Sequence, residues 1–508
     1  MLAKLKSLTL LGLHGEEVEI EVDLHRGLPK FSIVGLADTA IQEARERIRS
    51  AIKNSGFDFP RGVVVINLAP ADLKKYGPRF DLAMALGILH ATGQIRLPDN
   101  WDEKVFVGEL GFSGELRSVP GILPTTASAT DRGFIEIYVP EENSREAGII
   151  QDIQVFGVRT LRQLCDHITN TKKISPTCHQ ELNPKEFPED HEHNFSHVRG
   201  QEHAKRALEI AAAGGHNMLM TGPPGSGKTM LAKAFATILP QLTLHEALEI
   251  TKVHSIAGLV SDSNPVVTQR PFRMVHHTAS AVAIVGGGNP PRPGEISLAH
   301  RGVLFLDEFA EFPQKTLEVL RQPLEDGVIT VSRASGSYIF PAKMMLVAAM
   351  NPCPCGFHGD EQKECLCTPY KIQQYQNKVS GPLLDRIDLH TEVARIPFEK
   401  LSGETLEESS RDVRTRVQKA RKRQLERFLA DNITSNSEMT SPLVKKYCPL
   451  NDESQSILRT AVQQMNLSGR AFYRILKLAR TIADLAESDR IELPHVAEAI
   501  QYRERKEN

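Results

Sequence analysis

Apolar positions along the chain fall into three regimes. In the first, about residues 1–170, Val18, Ile20, Val22 and Leu24 alternate with polar neighbours, the two-residue period of a half-buried strand. Ile41, Ala44, Ile48 and Ile52 then recur at near-helical spacing, and Gly56 supplies a stop, so a helix is predicted between them. Val63–Ile66 is an unbroken β-branched run, suited to a strand buried on both faces. These features predict a mixed α/β domain. Over residues 171–195 the apolar period breaks around Pro176, Pro184 and Pro188, which predicts a linker. Its His179, His191 and His193 read either as parts of a solvated linker or as metal ligands.

The second regime, 196–395, alternates apolar runs with helical patterns. His216–Thr221, Val303–Leu306 and Met344–Met350 predict parallel core strands of a doubly wound α/β sheet. The third, 396–508, has no strand-like run and reads as helical. No internal repeat or low-complexity tract is evident. Three regimes suit a chain of 508 residues, since roughly 100–200 residues per domain suggests about three cores.

Charge changes the picture little: 61 basic residues nearly cancel 63 acidic ones, so any polyanion site must be a local patch. Met1–Leu24 mixes Lys4, Lys6, Glu16, Glu17 and Glu19 into its apolar residues, unlike a signal peptide. Without a run of about 18 apolar residues, no membrane span is expected, and a cytoplasmic protein is. Seven cysteines, four of them within 353–367, suit a reducing compartment and a metal site better than a disulfide framework.

Chemistry enters at Gly222-Pro223-Pro224-Gly225-Ser226-Gly227-Lys228-Thr229, which fits G-x-x-x-x-G-K-[ST] between an apolar strand and the helix-like Met230–Leu239. Such glycines let backbone N–H groups and a helix N-terminus surround phosphates. Lys228 is expected to reach the β- and γ-phosphates of ATP, and the Thr229 hydroxyl to bind Mg²⁺. Val303–Leu306 then presents Asp307 and Glu308 at its carboxyl end, the edge at which doubly wound sheets bind ligands. Asp307 is expected to hold Mg²⁺ through water, and Glu308 to orient and polarise the attacking water. Asn351 ends the next apolar strand, where its amide can position the γ-phosphate or the water. Arg386, in Ser380–Asp388, offers a guanidinium suited to transition-state charge across a subunit boundary. Arg470 is a second candidate for the γ-phosphate. Either arginine read alone also fits a surface salt bridge.

Taken together, these segments resemble the magnesium-chelatase-like AAA+ ATPases, and closely the ComM/YifB family. The resemblance runs through Val34–Asp38, Phe80–Met84, Val198–Gln201, Gly294–His300, Leu320–Gly327, Asn351–Gly356, Gly381–His390 and Arg480–Leu485. It implies that Asn351 is sensor 1, Arg386 the arginine finger and Arg470 the sensor-2 arginine, with Val198 and Gln201 lining the adenine pocket. It further implies a hexameric ring, with a helical lid after the AAA+ core, that moves along single-stranded, double-stranded and branched DNA. Branch migration of recombination intermediates while transforming DNA is integrated, alongside recombination proteins, would be its task.

The N-terminal region resembles the Lon-type protease domain, a ribosomal S5 domain 2-like α+β fold, with two departures. Lon enzymes place a nucleophilic serine after a Gly-Pro pair, whereas Gly77-Pro78 is followed by Arg79. The partner lysine falls near Leu123, where no lysine occurs. Without a serine and an activating amine, acyl transfer has no obvious means, so a non-proteolytic domain used for assembly or DNA engagement is expected.

Cys353, Cys355, Cys365 and Cys367 suffice for one tetrahedral Zn²⁺, although C-x-C is tighter than the usual zinc-finger spacing. Four reduced thiols in a loop is the other reading, and a redox role a third. Residues 327–340 read as a β-hairpin with 334–336 at its turn and Arg333 at its tip, placed where related ring helicases carry a pore hairpin. The loop Gly286–Gly294 presents Arg292. Both arginines are candidate phosphate contacts without sequence specificity, or ordinary surface residues. Residues 411–427 hold eight Lys/Arg against two acidic residues, which suits a solvated helix or a contact to the DNA backbone. Three functions remain in view: a DNA motor, a metal-chelatase motor subunit, and an ATP-dependent protease that Arg79 and Leu123 argue against.

Overall fold

The computed structural model describes residues 2–179, 193–333, 336–360, 362–396, 407–465 and 467–503. His191, Pro184 and Pro188 of the expected linker, and residues 334–335 of the expected hairpin turn, lie outside the described residues.

A seven-stranded mixed sheet forms the N-terminal region, in the order Lys30–Val34, Val63–Ala69, His14–His25, Ala3–Leu11, Lys104–Phe106, Glu136–Pro140 and Gln154–Val158. Alternation in the second strand has a direct cause. Val18, Ile20 and Val22 are fully buried, while Glu17 and Glu19 on the other face accept from Lys6 at 2.5 and 2.9 Å. The helix Thr39–Asn54 buries Ile41, Ala44, Ile48 and Ile52. Asp38 caps it by accepting from the Ile41 N–H, and Gly56 leaves it with a left-handed φ of 80°. The expectation for Val63–Ile66 needs correction: Val64 and Ile66 are buried but Val63 and Val65 only half-buried. The strand pairs antiparallel with His14–His25 and parallel with Lys30–Val34, and this part of the mixed sheet has one well-covered face rather than two.

Arg79 follows the Gly77-Pro78 pair. It is buried, with Nη2 donating to the Pro120 carbonyl at 2.8 Å and Nη1 to Thr125 Oγ1 at 3.3 Å. Burial pushes its pKa down to about 10. The fully buried Leu123 donates its N–H to Glu146 Oε1 at 2.9 Å. The guanidinium therefore fills the space between the two departures. The same corner docks on the second region. The Gly121 N–H donates to the Ser255 carbonyl at 3.0 Å, and the Ser255 hydroxyl to Glu146 at 2.5 Å. At the turn of the first hairpin, a Cβ on Gly12 would lie 2.8 Å from the Ile339 carbonyl oxygen, so this turn braces the strand Gly336–Pro341.

In the second region five parallel strands stand in the order Phe272–Val275, Val303–Leu306, Met345–Met350, Met218–Thr221 and Leu389–Glu392. All four Val303–Leu306 side chains are fully buried, which is why the run reads as unbroken apolar sequence. The strand ending at Met350 lies between the phosphate-loop strand and the strand that delivers Asp307, an order no local motif reveals. After residue 406 the described residues form helices, among them Ser410–Arg427, Ser441–Tyr447, Asp452–Gln464, Gly469–Leu485 and Leu493–Gln501. No described helix is long and apolar enough to cross a membrane.

Cations of the basic helix Ser410–Arg427 are largely spent inside the protein. Arg416 pairs with Glu209 at 2.6 Å, Lys419 with Glu487 at 3.3 Å, and Arg421 is buried with its guanidinium on the Thr434 and Ala212 carbonyls. The basic helix packs against the helix Glu202–Gly214. Asp484 is the hub of this region: Arg427 Nη1 donates to it at 2.9 Å, Asn436 at 2.9 Å, and Arg480 lies 3.1 Å away. Asp484 and Arg480 are both nearly inaccessible to water. Removing the carboxylate leaves buried cations uncompensated, so Asp484→Ala is expected to cost about 3–5 kcal/mol. A fall in the urea midpoint of that size, with an unchanged slope, is the expected measurement.

Candidate functional site

Parallel order puts the carboxyl ends of all five strands on one edge, and the phosphate loop, Asp307, Glu308 and Asn351 gather there. The loop 222–227 follows Met218–Thr221, and the helix Lys228–Thr237 starts directly from it. Gly225 and Gly227 have φ of 77° and 92°, values open to glycine and strained for other residues. Gly222 is required for another reason, because a Cβ there would stand 2.1 Å from the Val393 carbonyl oxygen.

Lys228 folds back into this loop. Its ammonium donates to the Gly222 and Pro223 carbonyls at 2.8 and 2.9 Å and to Asn351 Oδ1 at 3.3 Å. Burial lowers its pKa, so an arriving phosphate oxygen would relieve an imperfectly solvated cation. The Thr229 hydroxyl donates to Asp307 Oδ2 at 2.7 Å. A hydroxyl and a carboxylate from different elements, already in contact, are oxygen donors of the kind Mg²⁺ accepts beside phosphates. Glu308 has a left-handed φ of 53°, a strained non-glycine conformation of the sort that collects at working sites. Its half-exposed carboxylate lies 2.9 Å from Nδ1 of His277.

Val198 is buried, and Gln201 donates to the Ala394 carbonyl at 2.5 Å and to the Ser226 carbonyl at 3.5 Å. Gln201 thus joins the phosphate loop to the chain just beyond the last strand.

Arg386 and Arg470 lie elsewhere. Asn217, just before the phosphate-loop strand, donates its side-chain amide to the Arg386 carbonyl at 3.1 Å and its N–H to Asp388 at 3.1 Å. Arg386 is therefore at the amino edge of the sheet. Four strand residues at about 3.3 Å each put roughly 13 Å of sheet between that edge and the phosphate loop. Arg470 joins it there: Arg386 donates to Glu325 Oε2, and Arg470 to Glu325 Oε1 at 3.1 Å. The Arg386 hydrogen bond, first among the causes, holds the Glu325 carboxyl below its usual range. One carboxylate thus gathers both arginines in a cleft of about 540 Å³ also lined by Arg474 and Lys477.

Four sulfurs of Cys353, Cys355, Cys365 and Cys367 lie within 4.8 Å of one another. Cys365 Sγ stands 3.7 Å from Cys353 and 3.6 Å from Cys355, and those two are 3.3 Å apart. Tetrahedral Zn–S bonds of about 2.3 Å place sulfurs about 3.8 Å apart, so the donor set fits one zinc ion. The Phe357 N–H pulls the Cys355 thiol down to about 6. Gly356 in this loop packs on the phosphate loop, since a Cβ there would be 2.5 Å from Pro224 Cδ.

The two arginine-bearing loops also meet. Gly287 pairs with Arg292, and a Cβ on Gly287 would lie 3.2 Å from Arg333 Nη2. Arg333 closes the strand Val328–Arg333 opposite Gly336.

Sequence reasoning missed His276, His277 and Glu325. The adjacent His-His pair was a visible signal; the role of Glu325 depends on two distant arginines and had none.

Comparison with known proteins agrees with this architecture. The family described as magnesium chelatase, subunit ChlI, matches residues 194–401, with related profiles at 20–143 and, for the subunit's C-terminal part, 407–503. The chain is 43% identical to the protein named YifB of Escherichia coli K12, across 97% of this chain and 95% of that one. It is 42% identical to the competence protein ComM of Haemophilus influenzae, across 99% and 97%. The magnesium-chelatase 67 kDa subunit of Chlorobaculum parvum is 29% identical over only 31% of this chain and 23% of its own length. With full-length similarity to the first two and a five-stranded parallel core carrying a phosphate loop, the chain belongs to the ComM/YifB family of magnesium-chelatase-like AAA+ ATPases.

Proposed function

We propose that the chain is the repeating subunit of an ATP-driven ring, a hexamer, that engages single-stranded, double-stranded and branched DNA and drives branch migration during recombination. The observation that carries the reading is the separation of the site. Lys228, Thr229, Asp307, Glu308 and Asn351 share the carboxyl edge of the sheet, whereas Arg386 and Arg470 share the amino edge. A complete site then requires the phosphate loop of one subunit and the arginines of the next. Bound Mg²⁺ would supply charge neutralisation at the phosphates, held by Thr229 and by Asp307 through water. The chain's own residues do the rest: Lys228 exchanges loop carbonyls for phosphate oxygens, Asn351 shares that ammonium, and Glu308 accepts a proton from the attacking water. Val198 and Gln201 hold the base.

Support for DNA comes from the meeting of the loops that carry Arg292 and Arg333, through Gly287, where two cations would serve one local phosphate-binding patch. The name of the Haemophilus relative, a competence protein, supports the same reading, and the work proposed for this chain takes place in the cytoplasm beside recombination proteins. A protease reading gains nothing, because Arg79 fills the space a serine would need; the N-terminal domain serves assembly or DNA engagement. The test is migration of a synthetic four-way junction with and without ATP. Dissociation of the strands only with ATP is expected, together with DNA binding that weakens steeply as salt rises. ATP turnover indifferent to every DNA form would overturn the reading.

The cysteine loop is proposed to hold one Zn²⁺, which would cross-link a segment with little core of its own. Metal analysis should return one zinc per chain, and Cys365→Ser should lose it. Because Gly356 rests on Pro224, the same variant is expected to weaken ATP binding.

A further inference from the structure

Phe272–Val275 runs parallel to Val303–Leu306 with Val275 opposite Leu306. His276-His277 and Asp307-Glu308 therefore leave the sheet side by side. The two imidazole rings lie 4.1 Å apart at a 35° tilt, and the Thr278 hydroxyl, 3.0 Å from His276 Nδ1, orients the first of them. One ligand atom from each of His276, His277 and Glu308 comes within 4.8 Å of the other two. Nδ1 of His277 is buried and only 2.9 Å from Glu308 Oε2, yet it has no aligned hydrogen bond. A nitrogen and an oxygen this close, but not pointing at one another, suit a shared ion better than a shared proton. Bonds of about 2.0–2.2 Å to one ion bring such atoms to about 3 Å when they meet at a right angle, and to about 3.4 Å at the tetrahedral angle, while both lone pairs point at the ion.

We propose that His276, His277 and Glu308 form a second metal site, for a borderline divalent ion such as Zn²⁺, Ni²⁺ or Co²⁺, and that filling it stops ATP hydrolysis. Two imidazoles and a carboxylate select these ions over Mg²⁺, which prefers oxygen alone. The site is distinct from the four cysteines and from the Thr229–Asp307 pair. Glu308 and His276 are exposed enough for an ion to enter from solution. Once Glu308 ligates the ion, the cation's charge lowers the basicity of its carboxylate and fixes its position, so it no longer takes a proton from water, while the phosphate cradle is untouched. The inhibitory half rests on the water-activating role proposed for Glu308; the binding half does not.

Co²⁺ is the probe for binding, added to full-length protein whose cysteines are already filled with Zn²⁺. One further ion per chain is expected, with visible absorption of nitrogen and oxygen ligation and no sulfur charge-transfer band. Ni²⁺ added over millimolar Mg²⁺ should lower hydrolysis at least tenfold, with binding of a fluorescent ATP analogue changed less than twofold. His276→Ala removes one ligand but keeps the His277–Glu308 contact, and His276→Gln guards against a folding defect. Both should weaken Co²⁺ binding tenfold or more and move Ni²⁺ inhibition to correspondingly higher concentration. No Co²⁺ beyond the cysteines, or equal affinity in wild type and both variants, overturns the site. Co²⁺ bound at the histidines with hydrolysis intact overturns the inhibitory half. Failure of the underlying reading shows separately, as a Glu308→Gln protein that still hydrolyses ATP.

Discussion

Glu308→Gln should bind ATP as the parent does and hydrolyse it about 10²–10⁴-fold more slowly, the usual yield of one positioned general base. The asymmetry follows from which groups touch what. The phosphate cradle is the loop 222–227, the Lys228 ammonium and the Thr229 hydroxyl, none of which contacts the Glu308 side chain. The Glu308 N–H instead donates to Asp307 Oδ1 at 2.9 Å, and that backbone contact survives the substitution. An amide keeps the size of the side chain and loses only the capacity to take a proton. Single-turnover hydrolysis, read beside equilibrium binding of a fluorescent nucleotide, checks both halves. Equal turnover in variant and parent would remove Glu308 from the chemistry, and a matching loss of binding would make it part of the cradle instead.

How much of this was legible in the sequence depends on how local each feature is. The phosphate loop, Asp307–Glu308 and Asn351 each sit at the end of a largely apolar strand, so strand, turn and chemistry are written in adjacent residues. The hairpin around Arg333 and the four cysteines were readable for the same reason. Contacts set by strand order were not. That His276 and His277 lie beside Glu308 follows from Phe272–Val275 pairing with Val303–Leu306, a fact of topology. Arg79 shows the intermediate case: the missing serine was visible, but not that the guanidinium is buried against Pro120 and Thr125. For the basic helix Ser410–Arg427 the charge was legible but not its acidic partners Glu209, Glu487 and Asp489, which are remote in sequence.

The arginines yield the second large effect. Arg386→Ala is expected to lower hydrolysis by about 10³-fold or more, as loss of a transition-state arginine does elsewhere, and Arg470→Ala to act in the same direction. On the proposed reading neither serves the nucleotide of its own subunit, since roughly 13 Å of sheet separates the amino edge, where Asn217 holds the Arg386 backbone, from the phosphate loop. Their shared hold on Glu325 adds a geometric point: two guanidinium groups already spaced to grip two oxygens of one anion are spaced to grip one phosphate. Mixing inactive subunits separates this from any account within one chain. In an equal mixture of Arg386→Ala and Lys228→Ala, about a quarter of head-to-tail interfaces pair an intact loop with an intact arginine. Hydrolysis should therefore return to a measurable fraction of the parental rate, and the same mixing should rescue Arg470→Ala. Two dead proteins that stay dead when mixed, while still assembling, would place the arginines in their own subunit's site and undo the shared one.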